Sequence, residues 1–345
     1  MTELNVTGLD EANTVNDIWS FNEVSPTGNA MGGTELMMKW LQENVSVELL
    51  DKYQIIQSRV RKLEDKPRVL WLHDTADDPE SAHLANPESL DQFRRLVYVS
   101  NWQKQMYEWF HGIPPSKGVV LKNAIYPIEE HKKPGPKEPI NIIYHTTPHR
   151  GLNVLLSAFD LISTKHTDVT LDVYSSFSIY GWDKKDEAFA PLFDYCNEHP
   201  QINYHGAVSN DEVREALKKA HIFAYPSIWP ETSCISVLEA MSAKCVTVCP
   251  NYAALPETCA NMAWTYDFHE NHEIHAKLHA NVLNAAIEHY WDSEVQNNLR
   301  FQKMYFDRFY SWEVRSQEWT NFLNSIMAQA PTMEPQTDRS AYADL

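Results

Sequence analysis

The sequence is short of positive charge. Lys and Arg number 29 against 47 Asp and Glu in 345 residues, a formal net charge of −18. Such a chain does not grip nucleic acid by neutralising phosphates, and no basic face holds it on an anionic bilayer. The densest basic stretch, Arg59-Val-Arg-Lys62 followed by Lys66-Pro-Arg68, reads as solvated surface. Long apolar runs are also missing, none approaching the roughly 18–20 residues that cross a membrane. Residues Met1–Gly8 lack the basic start and apolar core of a secretory signal. The five cysteines (Cys196, Cys234, Cys245, Cys249, Cys259) form no Cys-x-x-Cys pair, and their odd count fits free thiols in a reducing compartment. Cys245 and Cys249 flank Val246–Val248 and read as strand-end residues. What is present is globular: 43% apolar and 12% aromatic residues, with length enough for two domains. A cytoplasmic protein without an integral membrane segment is the expectation.

Strand-like and helix-like stretches alternate, which predicts βα units and parallel sheets. The strands expected in the first half are Asp17–Phe21, Arg68–Leu72 and Leu96–Val99, with a helix over Leu36–Asn44. From Asn123 to Pro139 four prolines and a charge run mark a linker. A more regular alternation follows, with strands at Ile140–Tyr144, Val169–Tyr174, Ile202–His205, Ile222–Tyr225 and Cys245–Cys249. Helices are expected over Leu152–Lys165 and Asp211–Ala220, and in the segment holding Glu239. Residues His275–Asn324 read as helices rich in aromatics, and Pro331 onward as a disordered tail. There is no internal repeat.

The most informative stretch is Tyr225-Pro-Ser-Ile-Trp-Pro-Glu231-Thr-Ser-Cys-Ile-Ser-Val-Leu-Glu239-Ala-Met. Glu231 falls in a strand-to-helix loop at the carboxyl edge of a parallel sheet, where open α/β folds bind ligands. Ile235, Leu238 and Met241 share one helix face. The helix starts among Thr232 and Ser233, and its free N–H groups favour an anion. A carboxylate beside a phosphate-binding helix start, with another two turns further in, suits a phosphate-linked polyol such as a sugar nucleotide.

Other candidates are less specific. Gly28-Asn-Ala-Met-Gly32-Gly33-Thr34-Glu35 opens a helix and lacks the Lys-Ser/Thr and third glycine of the dinucleotide and P-loop fingerprints. It is either a tight turn or a close backbone approach to a ligand. His73-Asp74 emerges from a strand end and is either a site residue or plain loop. Asp77, Asp78 and His83 lie nearby, but their spacing shares no face and Pro79 interrupts, so no metal site is expected. Arg150 stands before a helix start, with Thr146 and Thr147 in the same loop. Arginine there opposes the helix dipole, and its fork suits two phosphate oxygens.

From Asn123 to about Asn324 the chain resembles the retaining glycosyltransferases of family 4. Their Glu-x7-Glu motif is matched by Glu231 and Glu239, the preceding Pro-Ser by Pro226-Ser227, and Glu-Ala-Met by Glu239-Ala240-Met241. The later Pro-Glu loop is matched by Asn251–Glu257, and the Asn-Gly-Val/Ile closing the N-terminal domain by Asn123-Ala124-Ile125. His205-Gly206-Ala-Val208-Ser resembles the loop near the base, and Phe309-Tyr-Ser-Trp312 the aromatic stretch before the last helix. The first half is similar mainly at Gly32-Gly33-Thr34-Glu35, His73-Asp74 and Val99-Ser100. Three departures stand out. Tyr144–Thr147 replace the family's Gly-Arg, and Arg150-Gly151 stands in for Lys-Gly, so one cation is missing. Thr-Ser-Cys follows Glu231 where Gly-Phe-Gly is usual. The N-terminal domain is short.

The resemblance implies an α/β protein of the GT-B fold, two facing Rossmann-like domains. Residues 1–125 would form the acceptor-side domain, 126–139 the linker, 140–304 the donor domain, and 305–330 a helix crossing back, with 331–345 the tail. It implies a metal-independent enzyme with no cofactor, taking a UDP- or GDP-linked sugar as co-substrate and a glycan or small soluble molecule as acceptor. Glu231, Arg150 and His73 would be catalytic. Glu239 would hold the ribose, with Ser233, Cys234, Ile235, Thr146, Thr147, Gly32, Gly33, Val208 and Tyr225 around the donor. A sugar-nucleotide 2-epimerase on this fold, or a non-catalytic nucleotide-sugar or glycan binder, are the alternatives.

Overall fold

The structure, a computed structural model, describes residues 32–328. The strand expected at 17–21, the start of the glycine loop at 28–31 and the tail from 331 lie outside the described residues.

Among the described residues a four-stranded sheet comes first: β1 (Gln54–Gln57), β2 (Arg68–Leu72), β3 (Arg95–Tyr98) and β4 (Gly118–Val120), in that order and all parallel. Strand alternation divides its side chains between two cores. Val69, Trp71, Val97 and Val99 face α1 (Gly33–Asn44) and α12 (Trp312–Ala328). Leu70, Leu72, Leu96 and Tyr98 face the other side, with Tyr107 of α4 (Asn101–His111) and Phe93. Two short helices, α2 (Val47–Leu50) and α3 (Pro87–Leu90), complete this half.

The second sheet has six parallel strands: β5 (Ile140–Tyr144), β6 (Val169–Val173), β7 (Ile202–Tyr204), β8 (Ile222–Ala224), β9 (Val246–Asn251) and β10 (Trp264–Asp267). Their spatial order is β10-β9-β8-β5-β6-β7. The chain starts in the middle, winds outward one way to β7, then returns to add β8 on the other side of β5. The carboxyl ends of β5 and β8 therefore form the topological switch point of a doubly wound sheet. The helices between are α5 (Leu152–Ser163), α6 (Ala190–Glu198), α7 (Asn210–Leu217), α8 (Ile235–Ser242) and α9 (Leu255–Thr258), followed by α10 (His272–His289) and α11 (Ser293–Phe309). Side chains cap two of these helices: Ser209 and Glu212 form a reciprocal capping box on α7, and Asn271 caps α10.

The expected strand at Cys245–Cys249 is shifted. Cys245 precedes β9 and accepts a contact from the half-buried Lys133 at 3.4 Å, while Cys249 lies inside the strand. All five cysteines are buried free thiols.

The chain crosses between the sheets twice, side by side. Ile125 and Ser311 form an isolated parallel bridge, with Ile125 N donating to Tyr310 O at 2.8 Å and Trp312 N to Ile125 O at 3.2 Å. The proline-rich segment after Ile125 is docked on the second sheet's domain. Ile128 N donates to Ser242 Oγ at 2.8 Å, and Lys133 Nζ to Leu217 O at 2.6 Å. Beyond the crossing, α12 joins the first core: Trp319 packs edge-on to Trp71 at 4.8 Å, and Tyr53 donates to Leu323 O at 2.6 Å. No described helix is long and apolar enough to cross a membrane.

Three buried histidines make folding sensitive to acid. Burial pushes His145 and His279 down to about 3 and His275 to about 4, from an ordinary 6.5. A depressed folded-state value means the unfolded chain takes up protons that the folded one refuses. Stability is therefore full above pH 6.5 and lost as pH falls through 6.5 towards 3–4. Urea unfolding at pH 7.5 and pH 5 should show a loss on the order of 1–2 kcal/mol per histidine. His279→Leu should flatten that dependence, and equal stability at the two pH values would contradict the argument.

Candidate functional site at the sheet's switch point

Two loops leave the switch point: 145–151 between β5 and α5, and 225–234 between β8 and α8. The first ends in a tight 3-10 turn, Pro148–Arg150, closed by Arg150 N donating to Thr147 O at 3.1 Å. Gly151 follows at φ +124°, a conformation that excludes side chains, and a Cβ there would overlap the Pro226 carbonyl. The two loops touch backbone to backbone, with Ile228 N donating to Arg150 O at 3.2 Å. In the second loop Ser227 organises the turn through Trp229, and the Glu231 carbonyl accepts from Ala254 N at 3.0 Å.

These loops bring Arg150 and Glu231 together. The Arg150 guanidinium donates to Glu231 Oε1, and the Tyr225 hydroxyl donates to the same oxygen. Glu231 is buried, whereas about a quarter (24%) of the Arg150 side chain reaches the surface, so the pair opens through its arginine. Burial works against the Arg150 charge, but the Glu231 carboxylate beside it raises the guanidinium well above its ordinary pKa. Burial, followed by the Glu231 charge, pushes the Tyr225 hydroxyl up, which keeps it a donor. Arg150 and Glu231 are thus direct partners. Tyr225 is fully buried and supports Glu231 from beneath.

The remaining candidates divide by position. The helix starts later than expected: α8 begins at Ile235 with Cys234 as its N-cap, leaving Thr232 and Ser233 in the loop. Cys234 is buried and offers the cleft backbone only, while Ser233 and Ile235 are half-buried. Thr147 and Ser175, at the carboxyl ends of β5 and β6, are buried with hydroxyls that have no hydrogen-bond partner among the described residues. Thr146 is half-buried beside Thr147, and Val208 is half-buried between β7 and α7. Glu239 is buried on α8 and held from α7, by Arg214 at 3.0 Å and Asn210 at 3.2 and 3.3 Å. Burial raises its carboxyl pKa, opposed by Arg214.

The first domain supplies the opposite wall. His73 O accepts from Thr232 Oγ1 at 2.6 Å, which places His73 next to the Glu231 loop. Its ring lies on Trp71, and burial pushes it down to about 3, so it is a neutral imidazole at physiological pH. Asp74 and Asp78 face Arg59, and Asp78 caps the turn after Pro79. Gly32 and Gly33 meet the second domain directly. A Cβ on Gly32 would overlap the Tyr180 ring, and one on Gly33 would stand 3.2 Å from Ile235 Cδ1.

Several residues at the site gave no signal in the sequence. The segment 177–189 after β6 has no periodicity, yet it is anchored by Asp186 accepting from Phe177 N at 2.8 Å. It carries Tyr180 stacked on Trp182 at 5.0 Å, and Lys185 with Nζ 4.1 Å from the Trp182 ring centre. His149 stacks on Phe177 and meets Trp229 edge-on, and the Arg150 guanidinium lies 5.8 Å from the Trp229 ring. Burial, then Arg150, then Lys185 hold His149 well below its ordinary pKa, so two cations stand near one neutral imidazole.

Known proteins resemble this chain in sequence and in fold. The family model described as glycosyl transferases group 1 matches residues 128–296. The O-antigen chain mannosyltransferase B of Escherichia coli is 23% identical over 192 residues, covering 52% of this chain and 49% of that protein. The chain thus spans about half the length of that curated relative. A glycosyltransferase from Rickettsia africae ESF-5 superposes with a TM-score of 0.64 at 15% identity, covering 89% of this chain and 85% of its own. Anabaena HepE, solved with UDP-glucose, superposes at 0.56 with 14% identity, covering 75% and 72%. The fold is GT-B, with two parallel-sheet domains, and the matches support the glycosyltransferase superfamily.

Gly151 offers a test of the local geometry. Gly151→Ala should destabilise the protein by about 1–3 kcal/mol, through backbone strain and the clash with Pro226. An unchanged urea midpoint would mean that the Arg150 turn is not held as described.

Proposed function

We propose that this chain is a retaining, metal-independent glycosyltransferase, moving a sugar from a UDP- or GDP-linked donor to a hydroxyl of a glycan or small soluble acceptor. The observation that carries the reading is the Arg150–Glu231 pair at the switch point, within the segment that matches group 1 glycosyltransferases. A half-buried guanidinium and a buried carboxylate neutralise each other until a ligand offers each a better partner. A donor with a diphosphate at one end and a polyol at the other does so: the diphosphate takes Arg150, and the sugar hydroxyls take Glu231.

The chemistry follows from that exchange. The bond from the anomeric carbon to the phosphate oxygen breaks, and negative charge grows on the diphosphate. Arg150, the N–H groups at the start of α8 and the hydroxyl of Thr147 stabilise that charge, the contribution that usually dominates catalysis of this type. The acceptor oxygen forms its bond on the face the diphosphate leaves, and a diphosphate oxygen takes the acceptor's proton. Neutral His73 lines the opposite wall as a hydrogen-bonding group. Glu239 holds the ribose hydroxyls, with Arg214 and Asn210 fixing its carboxylate. Val208 lies near the base. Closure of the domains excludes water from the donor.

The test is nucleotide release from a panel of UDP- and GDP-sugars. Arg150→Ala and Glu231→Ala should each lower release on the order of 10²–10³-fold. Undiminished release in both variants would sink the assignment. Analysis of the sugar product separates transfer from 2-epimerisation, since an epimerase passes nothing to an acceptor.

A further inference from the structure

Glu257 belongs to the second domain, on α9 just after β9, yet its carboxylate is bound by the first. Oε1 accepts from Asn101 N at 3.1 Å and Asn101 Nδ2 at 2.8 Å, and Oε2 accepts from Trp102 N at 3.1 Å. Lys122 Nζ, also from the first domain, stands 3.2 Å from Oε1. Asn101 and Trp102 open α4, and the first N–H groups of a helix have no acceptor within it. Partial positive charge collects at the same end. Ser100 caps α4 from within the first domain through Gln103 N at 3.0 Å, which leaves the two preceding N–H groups to Glu257. Burial acts to raise the Glu257 carboxyl, but the α4 amides and Lys122 outweigh it and hold the pKa below the ordinary value.

The contact lies against the site. Val99, Ser100, Lys122, Thr258 and Tyr310 enclose it together with Ser233, two residues after Glu231. A second cross-domain hydrogen bond, from Thr232 Oγ1 to the His73 carbonyl, lies one residue from Ser233. The surroundings of the Glu231 loop are thus tied to the first domain at two points, and Glu257 provides the charged one.

We propose that Glu257 is a positioning residue, an N-terminal cap lent to α4 by the opposite domain, which holds the two domains in the closed register that sets His73 against the Glu231 loop. This rests on the glycosyltransferase reading for its catalytic consequence, but not for its structural one. When the domains part, the amides of Asn101 and Trp102 and the Lys122 ammonium lose their common partner together. Closure therefore gains charge-assisted bonds that the open form lacks.

The experiment compares wild type with Glu257→Gln, Glu257→Ala and, from the other side of the contact, Lys122→Gln. Small-angle scattering of the ligand-free chain should show a larger radius of gyration in the Glu257 variants, with unchanged circular dichroism. With donor and acceptor present, the ratio of donor hydrolysis to transfer should rise several-fold, because an open cleft admits water. The rise should be largest for Glu257→Ala. Lys122→Gln should shift both readouts in the same direction, and should add little to Glu257→Ala in the double variant. Unchanged scattering and an unchanged ratio in Glu257→Ala would overturn the proposal. If wild type releases no nucleotide from any donor, the glycosyltransferase reading fails, and the scattering comparison still decides the role of Glu257.

Discussion

Everything at the cleft depends on β5 and β8 running side by side while their connections leave in opposite directions. That divergence opens a notch at the carboxyl edge of the sheet, and both critical loops are short enough to fold into it. Arg150 and Glu231 are 81 positions apart in sequence and become partners only because of this strand order. The Gly151 backbone and the Pro226 carbonyl then lock the two loops at a separation that no side chain at position 151 tolerates.

Around the notch, charge is handled in pairs. Arg150 meets Glu231 just before α8, and Arg214 meets Glu239 on it. Neither carboxylate is left uncompensated in the interior, which would be far more costly than the pairing. The difference lies in access. Arg150 keeps a quarter of its side chain at the surface, and aromatic rings flank it, so it can exchange partners with little rearrangement. Glu239 is fixed from a neighbouring helix and behaves as a preset wall.

The second sheet was readable from residue order because its inner strands are buried on both faces, so apolar runs such as Ile140–Tyr144 stand out. Besides the four-residue helices α2, α3 and α9, two kinds of element escaped. Among the described residues strands β1, β4 and β10 lie at sheet edges, are three or four residues long, and bury too little to leave a pattern. Helices α4 and α6 carry mixed polar and aromatic residues whose burial is decided by neighbours distant in sequence. At the site, Glu231, Glu239 and Arg150 were visible through motif spacing, whereas their partners were not. Tyr225 was placed near the donor without its bond to Glu231, whereas Arg214 beside Glu239 and the Tyr180–Lys185 segment depend on tertiary placement, and no local rule points to them.

The crossing of α12 has a consequence for how the molecule is made. The first sheet's inner face is completed by Trp312, Trp319 and Leu323, which a ribosome delivers almost 200 residues after β4. Synthesis is slow beside helix and strand formation. The half translated first therefore waits, with Val69, Trp71 and Val97 covered by α1 but not by α12, until the half translated last has emerged. The six-stranded sheet can close on itself in the meantime, so the order of assembly runs against the order of translation.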